Sequence, residues 1–118
     1  MADPTPQPTI PQAQPPPAGP APATSPRQEY RDYARQLAEG TTVPPDIVEG
    51  LWLHESQFDP RAVNKRSGAA GIGQLTRSTA QKHGLKVTRK IDERLDPYKN
   101  MPAALKELEE IDLAFPEV

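Results

Sequence analysis

Glu55 is the residue of this sequence whose type and position best suit acid chemistry. In the segment PPDIVEGLWLHESQF, Val48, Leu51 and Trp52 recur at helical spacing, and Glu55 is the next position on the same face. A carboxylate there would be partly desolvated and would lie at the negative end of the helix dipole, and both effects favour its protonated form. The pattern predicts a buried general acid. The competing interpretation is that Glu55 simply ends the helix and points into water.

The residues after Glu55 predict a turn that carries a polar amide. Phe58, Asp59 and Pro60 are expected to stop the helix, because a residue before proline is pushed out of helical geometry. A glycine-rich run, GAAGIGQL at residues 68–75, then brings Gln74 into a turn. Asp59 is interpreted as an Asx-turn residue or a cap on the following segment, rather than as a nucleophile, because it immediately precedes proline.

These two segments resemble the motifs of the soluble lytic transglycosylases, a family related to goose-type lysozyme. The first motif, glutamate-serine-any-phenylalanine followed by proline, alanine and a polar residue, matches ESQFDPRAVN at residues 55–64. The second is a glycine-alanine turn, a Gly-Leu-Met-Gln-Leu segment and a threonine-alanine pair. It matches GA at 68–69, GIGQL at 71–75 and TA at 79–80. The resemblance covers about residues 45–113 and implies a small, mainly α, lysozyme-like domain.

The resemblance implies cleavage of peptidoglycan between N-acetylmuramic acid and N-acetylglucosamine, with a 1,6-anhydro end as product. Glu55 would be the single catalytic acid and then the base, and no cofactor or metal would be needed. By the same resemblance the substrate-binding residues are Ser56, Gln74, Gly71 and Ile72. Judged from the residues alone, Ser56 is equally a helix-end hydroxyl and Gln74 a turn amide.

Two departures from the family pattern matter. The third family motif, alanine-tyrosine-asparagine on a later helix, has no counterpart after Leu113. The chain is therefore expected to be a truncated domain, to be completed by another polypeptide, or to have lost catalysis. Gly73 stands where the family usually has methionine, so an apolar contact near the acid is expected to be missing.

The flanking elements are predicted from caps and apolar spacing. Helices are expected from Pro26 to Glu39, from Pro45 through Glu55, from Thr76 to about Lys82, and from Asp96-Pro97 onward. The last helix should bury one row of apolar side chains: Met101, Ala104, Leu105, Leu108 and Ile111. His83 in the third helix is interpreted as a partner of the helix dipole, and no metal site is predicted because His54 and His83 share no ligand-like spacing.

Composition restricts the remaining possibilities. The chain has 118 residues, a net charge of −2 and no cysteine, so one small domain without disulfides is expected, and nothing predicts a nucleic-acid site. Residues 1–26 hold ten of the sixteen prolines, so residues 1–25 are predicted to be a disordered tail before a domain at 26–118. No stretch resembles a membrane span or a secretion signal.

A wall-cutting enzyme without a signal peptide must be carried to its substrate by other means. We expect a bacteriophage virion that opens the wall locally during genome ejection, or else a secretion or conjugation apparatus. Proteins of that virion or apparatus would then be partners. Two rival functions stay open: a goose-lysozyme-like hydrolase, and a non-catalytic module for glycan binding or virion assembly.

Overall fold

Helices dominate the computed structural model, which describes residues 26–114. Four α-helices follow one another: α1 (Pro26–Ala38), α2 (Pro45–Ser56), α3 (Arg77–Lys82) and α4 (Pro97–Ala114), with a short 3-10 helix at Glu93–Leu95 before α4. The prediction of a mainly α fold is confirmed. The predicted disordered tail at residues 1–25 lies outside the described residues, as do residues 115–118.

The predicted helix signals act as expected at α3 and α4. The Thr76 side chain accepts a hydrogen bond from the Thr79 backbone N–H at 3.3 Å and caps α3, and Gly84 follows in the left-handed conformation with φ 89°. The Asp96 carboxylate accepts from the Tyr98 N–H at 2.9 Å at the start of α4. Local sequence chemistry therefore determines where these two helices begin.

The end of α2 differs from the prediction. The helix stops at Ser56, well before Pro60, because Gln57 and Phe58 both adopt left-handed backbone angles, with φ 54° and 57°. A bulky residue tolerates that conformation only when its surroundings hold it. Phe58 is buried against Trp52, edge to face, with ring centroids 6.4 Å apart, and its N–H donates to the Ser56 hydroxyl at 3.2 Å. Tertiary packing, rather than the proline, ends this helix.

Helices α1 and α2 are joined by a charged contact beside the core. The Glu49 carboxylate accepts from Arg35 Nη1 at 2.8 Å and from Arg31 Nε at 2.8 Å. These hydrogen bonds hold the pKa of Glu49 below its usual value, and the bond from Arg35 has the larger effect. The largest fully buried side chains come from α2, the loop after it and α4: Trp52, Phe58, Ile72, Met101, Val48 and Asn100.

The buried side of α4 follows the predicted row for most of its length. Met101, Ala104 and Leu105 are buried and Leu108 is partly buried against the core. The prediction for Ile111 is wrong, because half of that residue is exposed. None of the helices between residues 26 and 114 is long and apolar enough to cross a bilayer.

Candidate active site

A cleft of about 260 Å³ lies between the end of α2, the turn at residues 73–76 and the middle of α4. Its lining combines apolar side chains with two carboxylates and a few hydroxyl and amide groups: Leu51, Trp52, Glu55, Gly73, Gln74, Leu75, Thr76, Thr79, Ala104, Glu107 and Leu108. Glu55 and Gln74, which were singled out from sequence, are thus brought together. An apolar cleft with a few convergent polar groups is the usual form of a binding site.

Glu55 lies at the rim of this cleft, one residue before the end of α2. The expectation that it is buried is wrong, since its side chain is exposed. Ser56, one position further and four residues after Trp52, takes the inward place instead. Among residues 26–114 no group forms a hydrogen bond or ion pair with the Glu55 carboxylate. The carboxylate therefore has no partner among these residues and is accessible to a ligand in the cleft.

Gln74 reaches the cleft from a left-handed backbone position with φ 51°. Its Nε2 group donates to the carbonyl oxygens of Gly71 at 2.8 Å and Ala62 at 3.2 Å, so both of its N–H bonds hold the turn. No described group donates to Oε1. The side chain can therefore offer a ligand an acceptor and no donor.

Asn100, at 0% exposure, fixes the same turn from α4. Its Oδ1 accepts from the Gly73 N–H at 2.7 Å, and its Nδ2 donates to the carbonyl oxygens of Ala70 at 3.1 Å and Arg94 at 3.0 Å. Every hydrogen bond of this buried side-chain amide is thus made to a backbone group. Sequence analysis did not select Asn100 as a site residue, because its partners precede it in the chain by 6 to 30 residues.

Arg94 supports the other end of the turn. Its Nη1 group donates to the carbonyl oxygens of Gly68 at 3.0 Å and Leu75 at 3.1 Å. Asp92 holds the guanidinium in place through Nε at 2.9 Å and Nη2 at 2.8 Å, and this pairing lowers the pKa of Asp92. The turn that presents Gln74 is therefore fixed from two sides by side chains.

The other predicted substrate-binding residues do not line the cleft. Ser56 is buried, and its hydroxyl contacts the carbonyl oxygens of Ile72 at 2.7 Å and Trp52 at 3.1 Å, which ties α2 to the turn. Ile72 is fully buried. Gly71 has φ 85°, and a Cβ there would overlap Asn100 and the Arg94 carbonyl oxygen. The part these three residues play in binding substrate stays a prediction.

Gly73 is the position where methionine was expected from the family pattern. A Cβ on Gly73 would overlap the Cβ of Ala104 and would lie 2.9 Å from Asn100 Oδ1. The glycine lets α4 approach the turn closely, so this departure removes a side chain but brings the two walls of the cleft together.

Glu107 is a second carboxylate in the cleft wall that sequence analysis missed. Its Oε1 accepts from Lys82 Nζ at 2.9 Å and from His83 Nε2 at 2.9 Å. These hydrogen bonds hold the pKa of Glu107 below its usual value, and the bond from Lys82 has the larger effect. Unlike Glu55, Glu107 is therefore already paired with side chains of the protein. The only sequence signal for it is its helical spacing from Ala104.

His83 also belongs to a group that could hold a cation. Its ring nitrogen and the carboxylates of Glu107 and Glu110 offer ligand atoms within 4.8 Å of one another. Lys82 Nζ already bridges the two carboxylates, at 2.9 Å and 3.1 Å. One of the two negative charges is therefore already compensated by the protein's own ammonium group. Asp59 has the predicted structural role, because its Oδ1 accepts from the Arg61 N–H at 2.9 Å in an Asx-turn.

Comparison with known proteins gives a consistent result. A family model described as the transglycosylase SLT domain matches residues 32–117. The chain is 41% identical over 88 residues to membrane-bound lytic murein transglycosylase D of Escherichia coli K12, and equally to the protein of that name from E. coli O6:H1, strain CFT073. The match covers 75% of this chain but 19% of either relative, so the chain spans about a fifth of their length. No solved structure gives a significant match.

Proposed function

We propose, from the premise that this chain belongs to the transglycosylase SLT family, that it is a peptidoglycan lytic transglycosylase. Its substrate would be the β-1,4 bond between N-acetylmuramic acid and N-acetylglucosamine, and its product would end in 1,6-anhydro-N-acetylmuramic acid. The observation that carries this proposal is the unpaired Glu55 carboxylate at the rim of a cleft that also holds Gln74.

Glu55 begins the proposed reaction as an acid. A sugar ring lying over Leu51 and Trp52 would displace water from the cleft and favour the protonated carboxyl group, which is exposed in the free chain. The acid then donates its proton to the glycosidic oxygen. The bond from that oxygen to the anomeric carbon of the muramic acid breaks, and the substrate's own acetamido oxygen supports the positive charge that develops there.

Glu55 ends the reaction as a base. The C6 hydroxyl of the muramic acid attacks the anomeric carbon, and its proton passes to the Glu55 carboxylate, which is thereby reset. No water is consumed and no second free carboxylate is required, unlike in most glycosidases. The second carboxylate of the cleft, Glu107, is held ionised by Lys82 and His83, so we assign it no proton transfer.

The residues around Glu55 would position the substrate. The free acceptor on Gln74 suits a sugar N–H or O–H donor, since both N–H bonds of that amide already hold the turn. Ser56, Gly71 and Ile72 would act through the shape of the turn, because Ser56 joins α2 to the Ile72 carbonyl oxygen and Gly71 leaves room for Asn100. We therefore place these three among the positioning residues of the proposed site.

The finer proposal concerns where the chain acts. We place it at the bacterial cell wall or in the periplasm, carried by a virion and opening the wall locally during phage genome ejection. The proline-rich composition of residues 1–25 supports this, since such a segment suits a narrow passage. The protein should then be found in purified particles by mass spectrometry. Its absence from them would favour a secretion apparatus.

Product analysis tests the activity. Purified peptidoglycan is incubated with the chain, with Glu55→Gln and with the control Glu39→Gln, which changes an exposed glutamate after α1. We expect anhydro-muropeptides from the first and the control but not from Glu55→Gln. Reducing muramic ends in place of anhydro ends would identify a hydrolase. Binding to peptidoglycan without release of any product would identify a non-catalytic module.

A further inference from the structure

A second cavity, of about 510 Å³, lies between the end of α3, the loop after it and the first half of α4. Its lining is distinct from that of the cleft: His83, Gly84, Leu85, Lys86, Glu93, Lys99, Pro102, Ala103 and Lys106. We call it the basic cavity. Nothing in the proposed chemistry of Glu55 uses it.

The charges around the basic cavity do not balance. Lys99 Nζ pairs with Glu93 Oε2 at 2.7 Å, while the backbone N–H of Lys86 donates to Glu93 Oε1 at 2.7 Å, so the single glutamate is occupied at both oxygens. No carboxylate among residues 26–114 pairs with the ammonium groups of Lys86 and Lys106. Two cations therefore remain for an anionic ligand.

The floor of the basic cavity is apolar. Ala103 is buried, Leu85 and Pro102 are half-buried, and Gly84 adds no side chain. Such a floor with a cationic rim suits small methyl groups beside a free carboxylate, whereas a bare inorganic ion would leave the floor uncovered.

The basic cavity and the cleft are neighbours across one wall. Ala103 and Lys106 of α4 face the cavity, and Ala104 and Glu107 face the cleft. His83, which lines the cavity, donates from Nε2 to Glu107, which lines the cleft, at 2.9 Å. A polymer that carries both sugars and short peptides could therefore occupy both sites at once.

We propose that the basic cavity binds the carboxylate end of an alanine-containing peptide attached to the glycan strand, with Lys86 and Lys106 as the cationic contacts. This rests on the proposed function for the identity of the polymer. By this proposal the chain binds the peptides of the strand in addition to cleaving its glycosidic bonds.

A titration with a free peptide tests the site separately from cleavage. The probe is N-acetyl-D-alanyl-D-alanine, which has no glycosidic bond, and the comparison is its C-terminal amide, which lacks the carboxylate. We expect the acid to shift the amide NMR signals of residues 83–86 and 102–106, and to bind at least tenfold more tightly than the amide. Lys86→Ala with Lys106→Ala should weaken binding about tenfold, and the exposed Lys90→Ala should leave it unchanged.

Each other result overturns the proposal. Equal binding of the acid and the amide would exclude carboxylate recognition, and equal competition by inorganic phosphate would indicate a general anion site. Shifts confined to the cleft would place the peptide elsewhere. As a polymer test, Glu55→Gln should sediment with intact peptidoglycan more completely than with amidase-treated strands that have lost their peptides. A failure of the activity would appear in the product analysis, and a failure of this site in the titration.

Discussion

The cleft and the basic cavity share helix α4 yet have opposite charge. No lysine or arginine between residues 26 and 114 lines the cleft, which holds the carboxylates of Glu55 and Glu107. Three lysines and one glutamate line the cavity. The sign changes within one turn of the helix, between Lys106 and Glu107.

The two proposals assign two different chemistries to opposite sides of one helix. An acid that must donate a proton gains from the absence of nearby cations, which would favour its ionised form. A site for carboxylates needs those same cations. The Lys82 and His83 contacts to Glu107 occupy the one carboxylate of the wall and keep Glu55 as the free carboxylate of the cleft. Four substitutions test this contrast, in order of decreasing expected effect.

Glu55→Gln should separate the two sites most strongly. Loss of the acid should reduce cleavage by about 100- to 10,000-fold, because no other unpaired carboxylate among residues 26–114 lines the cleft. The rate is measured by release of soluble muropeptides, and peptide affinity at the basic cavity should stay the same. If peptide affinity falls together with the rate, the two sites are coupled and the contrast fails.

Asn100→Leu should damage the cleft through its turn. The substitution leaves Gly73 N–H and two carbonyl oxygens without their buried partner, which should lower the free energy of unfolding by about 3 kcal/mol. Urea unfolding measures the loss. Cleavage by the folded fraction should fall while its peptide affinity persists, since the turn at residues 70–73 does not line the basic cavity. An unchanged unfolding midpoint would contradict the role given to this amide.

Gly73→Ala should force the turn and α4 apart. The new methyl group would overlap the Ala104 Cβ, at a cost of about 2 kcal/mol. Ala104→Gly in the same chain should restore part of that loss, although a glycine within a helix itself costs about 1 kcal/mol. Thermal unfolding of the single and double variants measures the coupling. Strictly additive losses would mean that the two residues are not in contact.

Glu107→Gln should have the smallest effect, and one that depends on pH. Because the pKa of Glu107 is lowered in the folded chain, its ion pairs stabilise the fold above the ordinary value of 4.5, and this is lost as the pH falls through the folded pKa. At neutral pH the variant should be less stable than the wild type by about 1 kcal/mol, and the difference should vanish in acid.

The control for this last prediction is Glu109→Gln on the same helix, which removes a carboxylate without an ion pair among residues 26–114. It should show no such dependence on pH. A difference for Glu107→Gln that persists in acid would assign the effect to packing rather than to charge.

Local signals in the sequence were sufficient for the helices and for bringing Glu55 and Gln74 to one site. Thr76, Gly84 and the Asp96-Pro97 pair act through bonds and angles within a few residues, so their effect can be read without the fold. Residues of both family motifs line the cleft, and they could be found from sequence because the residues of each motif are close in the chain. Family membership itself is confirmed by the match over residues 32–117.

The burial of individual side chains and the contacts between distant residues could not be predicted from local sequence. Helical periodicity placed Glu55 on the buried face of Trp52, whereas Ser56 is buried there and Glu55 is exposed at the end of the helix. It also gave the direction of Ile111 without showing whether another element covers it. Glu107 meets His83 across 24 residues, and Asn100 meets Ala70 across 30, so no local pattern joins them.

The position of Trp52 makes the two sites optically distinguishable. It is the one tryptophan of the chain, and its buried indole forms part of the cleft and not of the basic cavity. The three tyrosines meet elsewhere, where Tyr98 contacts Tyr30 and Tyr33 edge to face. The fluorescence emission of the selectively excited indole should therefore change when a sugar enters the cleft. It should not change when a peptide binds beside Lys106. Sugar occupancy can thus be followed in the unlabelled protein while the peptide site is filled.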